Sequence, residues 1–286
     1  MEKDFGREQI TWRRMRFDFE ARGFEKRWHG GKAFVSYFWN ALSASFPPGE
    51  RFFVAAARSM CGSIEDPTFV SELNEFVRQE GQHSLQHRKF NLLVGAQGFD
   101  IARYERRFET PLRAATLKLS PLYRLAVTVA LEHFTAVFAR QGLKNPRLTE
   151  GADPAVLALW SWHFAEELEH KSTCFDLYHR MGGTYRTRMK AAREAWLMII
   201  GFSIEGALAM MKEDESLWDA RELARGLWYL LGPGGFLTSM MPGLGAFLRP
   251  GFDPRDVDDT PLIEAWKAGS SRYLVRQRDA DEHLAT

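Results

Sequence analysis

From Lys32 onward, apolar positions recur along the chain at helical spacing. The run KAFVSYFWNALSASF predicts a first helix, which Pro47-Pro48-Gly49 should break or kink because proline lacks the backbone N–H donor. A second piece, ERFFVAAARSM, follows at once, and residues 62–67 read as a turn. A second periodic segment covers about 68–96 and ends at GAQG. The charged stretch RYERRFE then leads into a predicted helix over about 111–142. After the polar loop KNPRLTEGADP, Asp153 and Pro154 form a cap and first-turn pair. The helix that they start should reach about residue 181 and stop at Gly182-Gly183. Residues 1–31 mix charge with aromatics and read as an irregular arm with room for a short strand. No useful strand alternation and no solenoid repeat appears. The fold class is all-α, with an arm (1–31), a helical bundle (32–185) and a C-terminal helical extension (186–286).

The stretch HFAEELEHKSTC, residues 163–174, raises the chemical question. Steps of 4 and 3 along a helix keep His163, Glu167 and His170 on one stripe, which runs on through Val156, Trp160, Cys174, Leu177 and Met181. Polar groups on an apolar seam need a partner, because burying an unpaired charge costs several kcal/mol. The same stepping in the second segment gives Leu73, Phe76, Glu80, His83, His87, Phe90 and Val94. In the third it gives Leu122, Leu125, Val129, Glu132, Ala136 and Ala139, and in the first Phe46, Glu50, Phe53, Ala57 and Met60. The seams turn polar at one level only. Counted from the turns at about 1.5 Å rise per residue, the carboxylates of neighbouring helices fall at similar heights.

Two helices with one Glu each and two with Glu-x-x-His form the pattern of a carboxylate-bridged two-metal site in a ferritin-like four-helix bundle. The predicted ligands are Glu50, Glu80, His83, Glu132, His163, Glu167 and His170. Two divalent cations would neutralise four carboxylates. Oxygen and nitrogen donors without thiolate suit iron, with manganese as the alternative. Glu166, four residues before His170, could replace Glu167; His87 is a ligand, a supporting partner or a packing residue; His133 supports a ligand or is structural. Glu169 points away from the stripe, to solvent or a supporting role, and Cys174 reads as core. Glu50, just after Pro-Pro-Gly, has a second explanation in the dipole of a helix N-terminus.

Charge narrows the partners. With 38 basic and 37 acidic residues, nothing drives the chain to nucleic acid. Two cysteines make no disulfide framework, and the N-terminus lacks the apolar core of a signal peptide, so the expected compartment is the cytoplasm. The segment AWLMIIGFSIEGALAMM, 195–211, has one charge, Glu205, and is short for a bilayer span. It is expected to be buried or interfacial, which allows peripheral contact of 195–248 with the inner membrane face. A homodimer is a further expectation.

The pieces NALSASFPPGERFF, RQEGQHSLQH, LEHFTA and WHFAEELEHKSTCFDLY resemble the bacterial family called predicted metal-dependent hydrolases, a ferritin-like group, over about 12–255. The order His163-x-x-x-Glu167-x-x-His170 is also similar to the ligand motif of the di-iron arylamine N-oxygenases, in motif only. These likenesses imply iron and oxygen chemistry. The leading expectation is a non-haem di-iron or Fe/Mn oxidase or oxygenase, with O2, an electron donor and a hydrophobic small-molecule substrate as partners. The alternatives are a hydrolase whose two metals acidify a water, and a non-catalytic storage or structural bundle.

Overall fold

The computed structural model describes residues 10–270. After a short helix α1 (Phe19–Arg22), the long elements follow in order: α2 (Ala33–Cys61), α3 (Pro67–Ala96), α4 (Ile101–Lys118) and α5 (Pro121–Lys144). Then come the single turn α6 (Pro146–Thr149), α7 (Pro154–His170), α8 (Thr173–Arg180) and α9 (Tyr185–Glu213). The helices α10 (Ala220–Leu231), α11 (Phe236–Phe247) and α12 (Thr260–Ser270) close the described chain. No strand forms among the described residues. The strand expected in the arm reduces to one antiparallel bridge, His29 to Ala152. Gly30 and Gly151, both at positive φ, let the two backbones meet there: a β-carbon on Gly151 would stand 3.1 Å from Gly30 Cα.

Three of the long helices start on the same device. Asp66, Ser120 and Asp153 each accept from first-turn N–H groups, and each precedes a proline. Such a pair satisfies donors that a helix start leaves open and adds a residue already fixed in φ. The Ser120-Pro121 pair corrects the single helix expected over 111–142. Leu119 and Ser120 are extended, α5 begins at Pro121, and Pro111 lies inside α4. The helix expected to reach 181 is interrupted at Lys171-Ser172, between α7 and α8. Lys171 there turns its ammonium to the Asp259 carboxylate at 2.7 Å.

The break expected at Pro47-Pro48 is absent: α2 runs through both prolines. Pro47 cannot donate to the carbonyl of Ser43, four residues earlier. The side-chain amide of Asn91 on α3 donates to that carbonyl instead, at 3.2 Å. The freed acceptor is satisfied from the next helix, and the prolines remain in a continuous rod. Glu50 therefore sits in mid-helix, which removes the N-terminal dipole as the reason for an acid there.

α2 packs on α3, and α5 on α7, with further contacts between the two pairs. The seam residues of α3 from Leu73 to Val94 are all buried, as are those of α7 and α8 from Val156 to Leu177. α9 lies across α2 and α5. Two helices, α5 and α9, are long and apolar enough to cross a membrane by length and composition. The apolar window of α5 is 83% buried and that of α9 44%, so α5 is a core rod and α9 covers the bundle with one face.

Gly206 sets the approach of α9 to α2, since a β-carbon there would stand 2.6 Å from Ala41 Cβ. Gly201, one turn and a half earlier, faces open space. Alanine in a helix normally stabilises over glycine by about 0.8–1 kcal/mol. Gly201→Ala is expected to follow that rule. Gly206→Ala should instead destabilise by about 1–3 kcal/mol through overpacking. Urea unfolding of both variants checks the contrast.

Candidate metal centre

Four helices deliver the polar level: Glu50 on α2, Glu80, His83 and His87 on α3, Glu132 on α5, and His163, Glu167 and His170 on α7. All eight side chains are buried. Donor atoms of Glu80, His83, Glu167 and His170 lie within 4.8 Å of one another, and so do those of Glu50, His83 and His163. Glu132 joins through His170, whose Nδ1 stands 3.1 Å from Glu132 Oε2. The opposite nitrogen, Nε2, stands 3.3 Å from Glu80 Oε1.

The residues around the cluster fix the imidazoles. Asn91 donates to the Ser43 carbonyl and to Glu105, so its Oδ1 is left to accept from the Ser43 hydroxyl at 2.6 Å. With that proton committed, Ser43 Oγ accepts from His87 Nδ1 at 2.8 Å. His87 Nε2 is then an acceptor and takes the proton of His163 Nδ1 at 2.7 Å. This chain leaves His163 Nε2 with a lone pair, 2.9 Å from Glu167 Oε1. Two acceptors at that distance need a shared proton or a cation between them. On the other side, His83 Nε2 donates to Glu166 Oε2 at 3.1 Å, which leaves the His83 Nδ1 lone pair turned to the cluster. Glu166 is held in turn by Arg13 at 3.1 Å.

A cation fits this donor set. Both oxygens of Glu50 and of Glu80, Glu132 Oε1, His83 Nδ1 and His170 Nε2 are buried without a hydrogen-bond partner. So many unpartnered polar atoms at one place, most of them carboxylate oxygens, are not tolerated in a dry interior unless something positive meets them. The proton affinities agree. Burial and the Glu80 carboxylate push Glu50 well above the usual range, and burial with Glu80 lifts Glu132 to about 8. Burial opposes charge on His170, but Glu167 and Glu132 raise it to about 9. Glu167 goes the other way: burial opposes its charge, yet His170 and His163 hold it at about 2. Burial lowers His163 to about 4, so it stays neutral.

Three readings left open by the sequence narrow. His133 is remote from the cluster: it bonds the Gly243 carbonyl at 3.0 Å and stacks on Phe247, because its off-seam position on α5 faces α11. Glu169 is buried rather than solvated, clamped by Arg13 at 2.6 Å and by Gln79. Glu166 meets Arg13 and the outer nitrogen of His83, so it orients His83 and does not stand in for Glu167. Cys174 is buried in the core. Reading the seams also missed five contributors, among them Asn91, which commits the Ser43 proton. Ser43 lies one step before Phe46 on the α2 stripe. Thr135, three residues after Glu132, donates a short hydrogen bond to Glu167. Gln79 is next to a seam residue, and Arg13 comes from the arm, where no periodicity marked it.

Elemental analysis of the purified chain should give about two metal ions per chain, and fewer in Glu132→Ala; unchanged content would take Glu132 out of the ligand set. Arg13→Ala frees Glu166 and should weaken metal retention against a chelator about tenfold or more, as loss of such outer partners does. The pH dependence has a definite sign. Glu132 (ordinary value 4.5) and His170 (ordinary value 6.5) bind protons more tightly when folded, so their contribution is lost as pH rises toward about 8 and about 9. Between about pH 6.5 and 8 the metal-free protein should lose on the order of 2 kcal/mol. The metal-loaded protein should not, because metal displaces those protons. Melting curves of both forms across that window read the difference.

Comparison with curated proteins and with solved structures finds no match. The sequence model of one family, described as predicted metal-dependent hydrolase, matches residues 11–258 and so spans both the arm that carries Arg13 and every helix that feeds the cluster. On that match the chain belongs to this family.

Proposed function

We propose that the chain is a dimetal oxidoreductase that uses O2 to oxidise a hydrophobic small molecule. The observation that carries this reading is the cavity beside Glu50. Its wall is apolar, built by Leu42, Phe46, Phe53, Leu131, Phe134 and Phe138 among others, and it has room for about one water molecule, ≈ 20 Å³. A hydrolase must admit water and a polar ester or phosphoester. A hydrocarbon wall around so small a space suits O2, and it keeps a strong oxidant from bulk water. The cavity is lined mainly by α2 and α5; α4 adds Phe108, and of the aromatic-rich stretch 195–248 only Ile199 reaches it.

The two donor groups, with Glu132 beside His170, would hold two ions, and carboxylate and imidazole donors without thiolate suit iron or manganese. When bound, a pair of such ions supplies the electrons that O2 reduction requires. The chain's own residues do the rest. His87 and Glu166 keep the lone pairs of His163 and His83 aimed inward. Glu50, with both oxygens unpartnered at the cavity wall, is free to change its attachment as charge changes. Thr135 and Ser45 line the same cavity; Thr135 donates to Glu167 and Ser45 to the Leu42 carbonyl, so both hydroxyl protons are committed.

The family's description favours a second reading, hydrolysis, in which two ions would acidify a water. One experiment separates the two. Anaerobic loading with Fe(II) followed by air is expected to give O2 uptake and a transient near-ultraviolet or visible absorption. Uptake no greater than buffer, together with ester or phosphoester turnover under nitrogen, would replace the oxidative reading with the hydrolytic one.

A further inference from the structure

The inner cavity has a neighbour. Between α4 and α9 lies an open groove of about 700 Å³, bordered by Arg103, Arg106 and Arg107 and floored by Phe108, Phe202 and Met198. Phe108 belongs to both spaces: it lines the groove on one side and the cavity beside Glu50 on the other. The Phe108 and Phe202 rings pack 4.9 Å apart between centroids. Inward, the Phe108 ring rests on Gly49, 3.7 Å from where a β-carbon would stand. Glycine there leaves space beside the next residue, Glu50, that any larger side chain would fill. One aromatic ring therefore separates the surface groove from the carboxylate at the candidate metal centre.

The rim is cationic. Arg107 pairs with Glu205 at 2.5 Å, which accounts for the single charge of the apolar stretch 195–211. Arg103 and Arg106, both exposed, have no ion-pair partner among the described residues. An apolar floor with two free guanidinium groups at its mouth is complementary to an anionic head on a hydrocarbon tail.

We propose that this groove is the substrate entrance, and that the substrate is an amphiphile with an anionic head held by Arg103 and Arg106 and an apolar tail that displaces the Phe108 ring to reach Glu50. The assignment deepens the oxidative reading of the metal centre and rests on it. It fixes the orientation: the head stays at the surface and the tail carries the reacting carbon.

Calorimetric titration of the metal-loaded protein with octanoate and with octanol tests it. Octanoate should bind about tenfold more tightly than octanol, since two charge contacts together are worth roughly that factor. Lengthening the carboxylate by one methylene should tighten binding about fourfold, the value of a buried methylene. The surface variant Arg103→Ala/Arg106→Ala should bring octanoate to the level of octanol and leave octanol unchanged. Arg106→Glu should weaken octanoate further. Equal binding of acid and alcohol, indifference to chain length, or full octanoate affinity in the double variant would each overturn the proposal. Octanoate binding by protein that consumes no O2 would keep the groove and remove the oxidative chemistry; O2 uptake by protein that binds no octanoate would do the reverse.

Discussion

Four carboxylates in one dry interior repel one another, and the structure around them is arranged to live with that repulsion. Glu50, Glu80, Glu132 and Glu167 come from four helices and meet three imidazoles where the bundle is otherwise aliphatic and aromatic. Without cations the cluster gathers protons, which is why Glu132 and His170 hold theirs so tightly. With cations the same atoms become a neutral unit, and burial no longer penalises them. The surrounding hydrogen bonds prepare for the second state. Asn91, Ser43 and His87 on one side and Arg13 and Glu166 on the other occupy the outer nitrogens of His163 and His83, so the inner lone pairs face what remains open.

Much of this was legible because helical stepping is a strong constraint. A buried acid on a seam keeps its place whether or not the helix is kinked, so Glu80, His83, Glu132 and the His163-Glu167-His170 stripe could be located without coordinates. Helix ends were harder. Pro47 and Pro48 read as a break because the sequence does not reveal that Asn91, forty-odd residues on, supplies the missing donor. Ser120-Pro121 was a readable start signal of the same type as Asp153-Pro154, obscured by the apolar run on both sides of it. His133 drew attention by standing next to Glu132, yet adjacent residues on a helix point about 100° apart, and the ring belongs to the packing of α11. Arg13 could not be read at all. Its partners lie more than 150 positions away, and long-range ion pairs leave no periodic trace.

The arm and the C-terminal helices complete the bundle and meet over α7, where Arg13 lies over the Trp266 ring of α12. The arm brings Arg13 to the outer face of α7, where its guanidinium neutralises two buried acids, Glu166 and Glu169. α9 closes the α2–α5 side and leaves one aromatic side chain between solvent and the cavity wall. The interior is thus sealed by elements that contribute no donor to the cluster. Access and coordination can change independently, since the first is decided by α4 and α9 and the second by α2, α3, α5 and α7.

The wide spacing of the donors along the chain has a consequence for biogenesis. Glu50 and His170 are separated by most of the bundle, and His163, Glu167 and His170 are the last to be translated. A growing polypeptide on the ribosome holds at most a pair of acids and one Glu-x-x-His until α7 has emerged, too few for tight coordination. A cation can therefore be held by the full donor set only after synthesis of the bundle. A chain truncated before α7 would be released with its carboxylates exposed and nothing to hold them together.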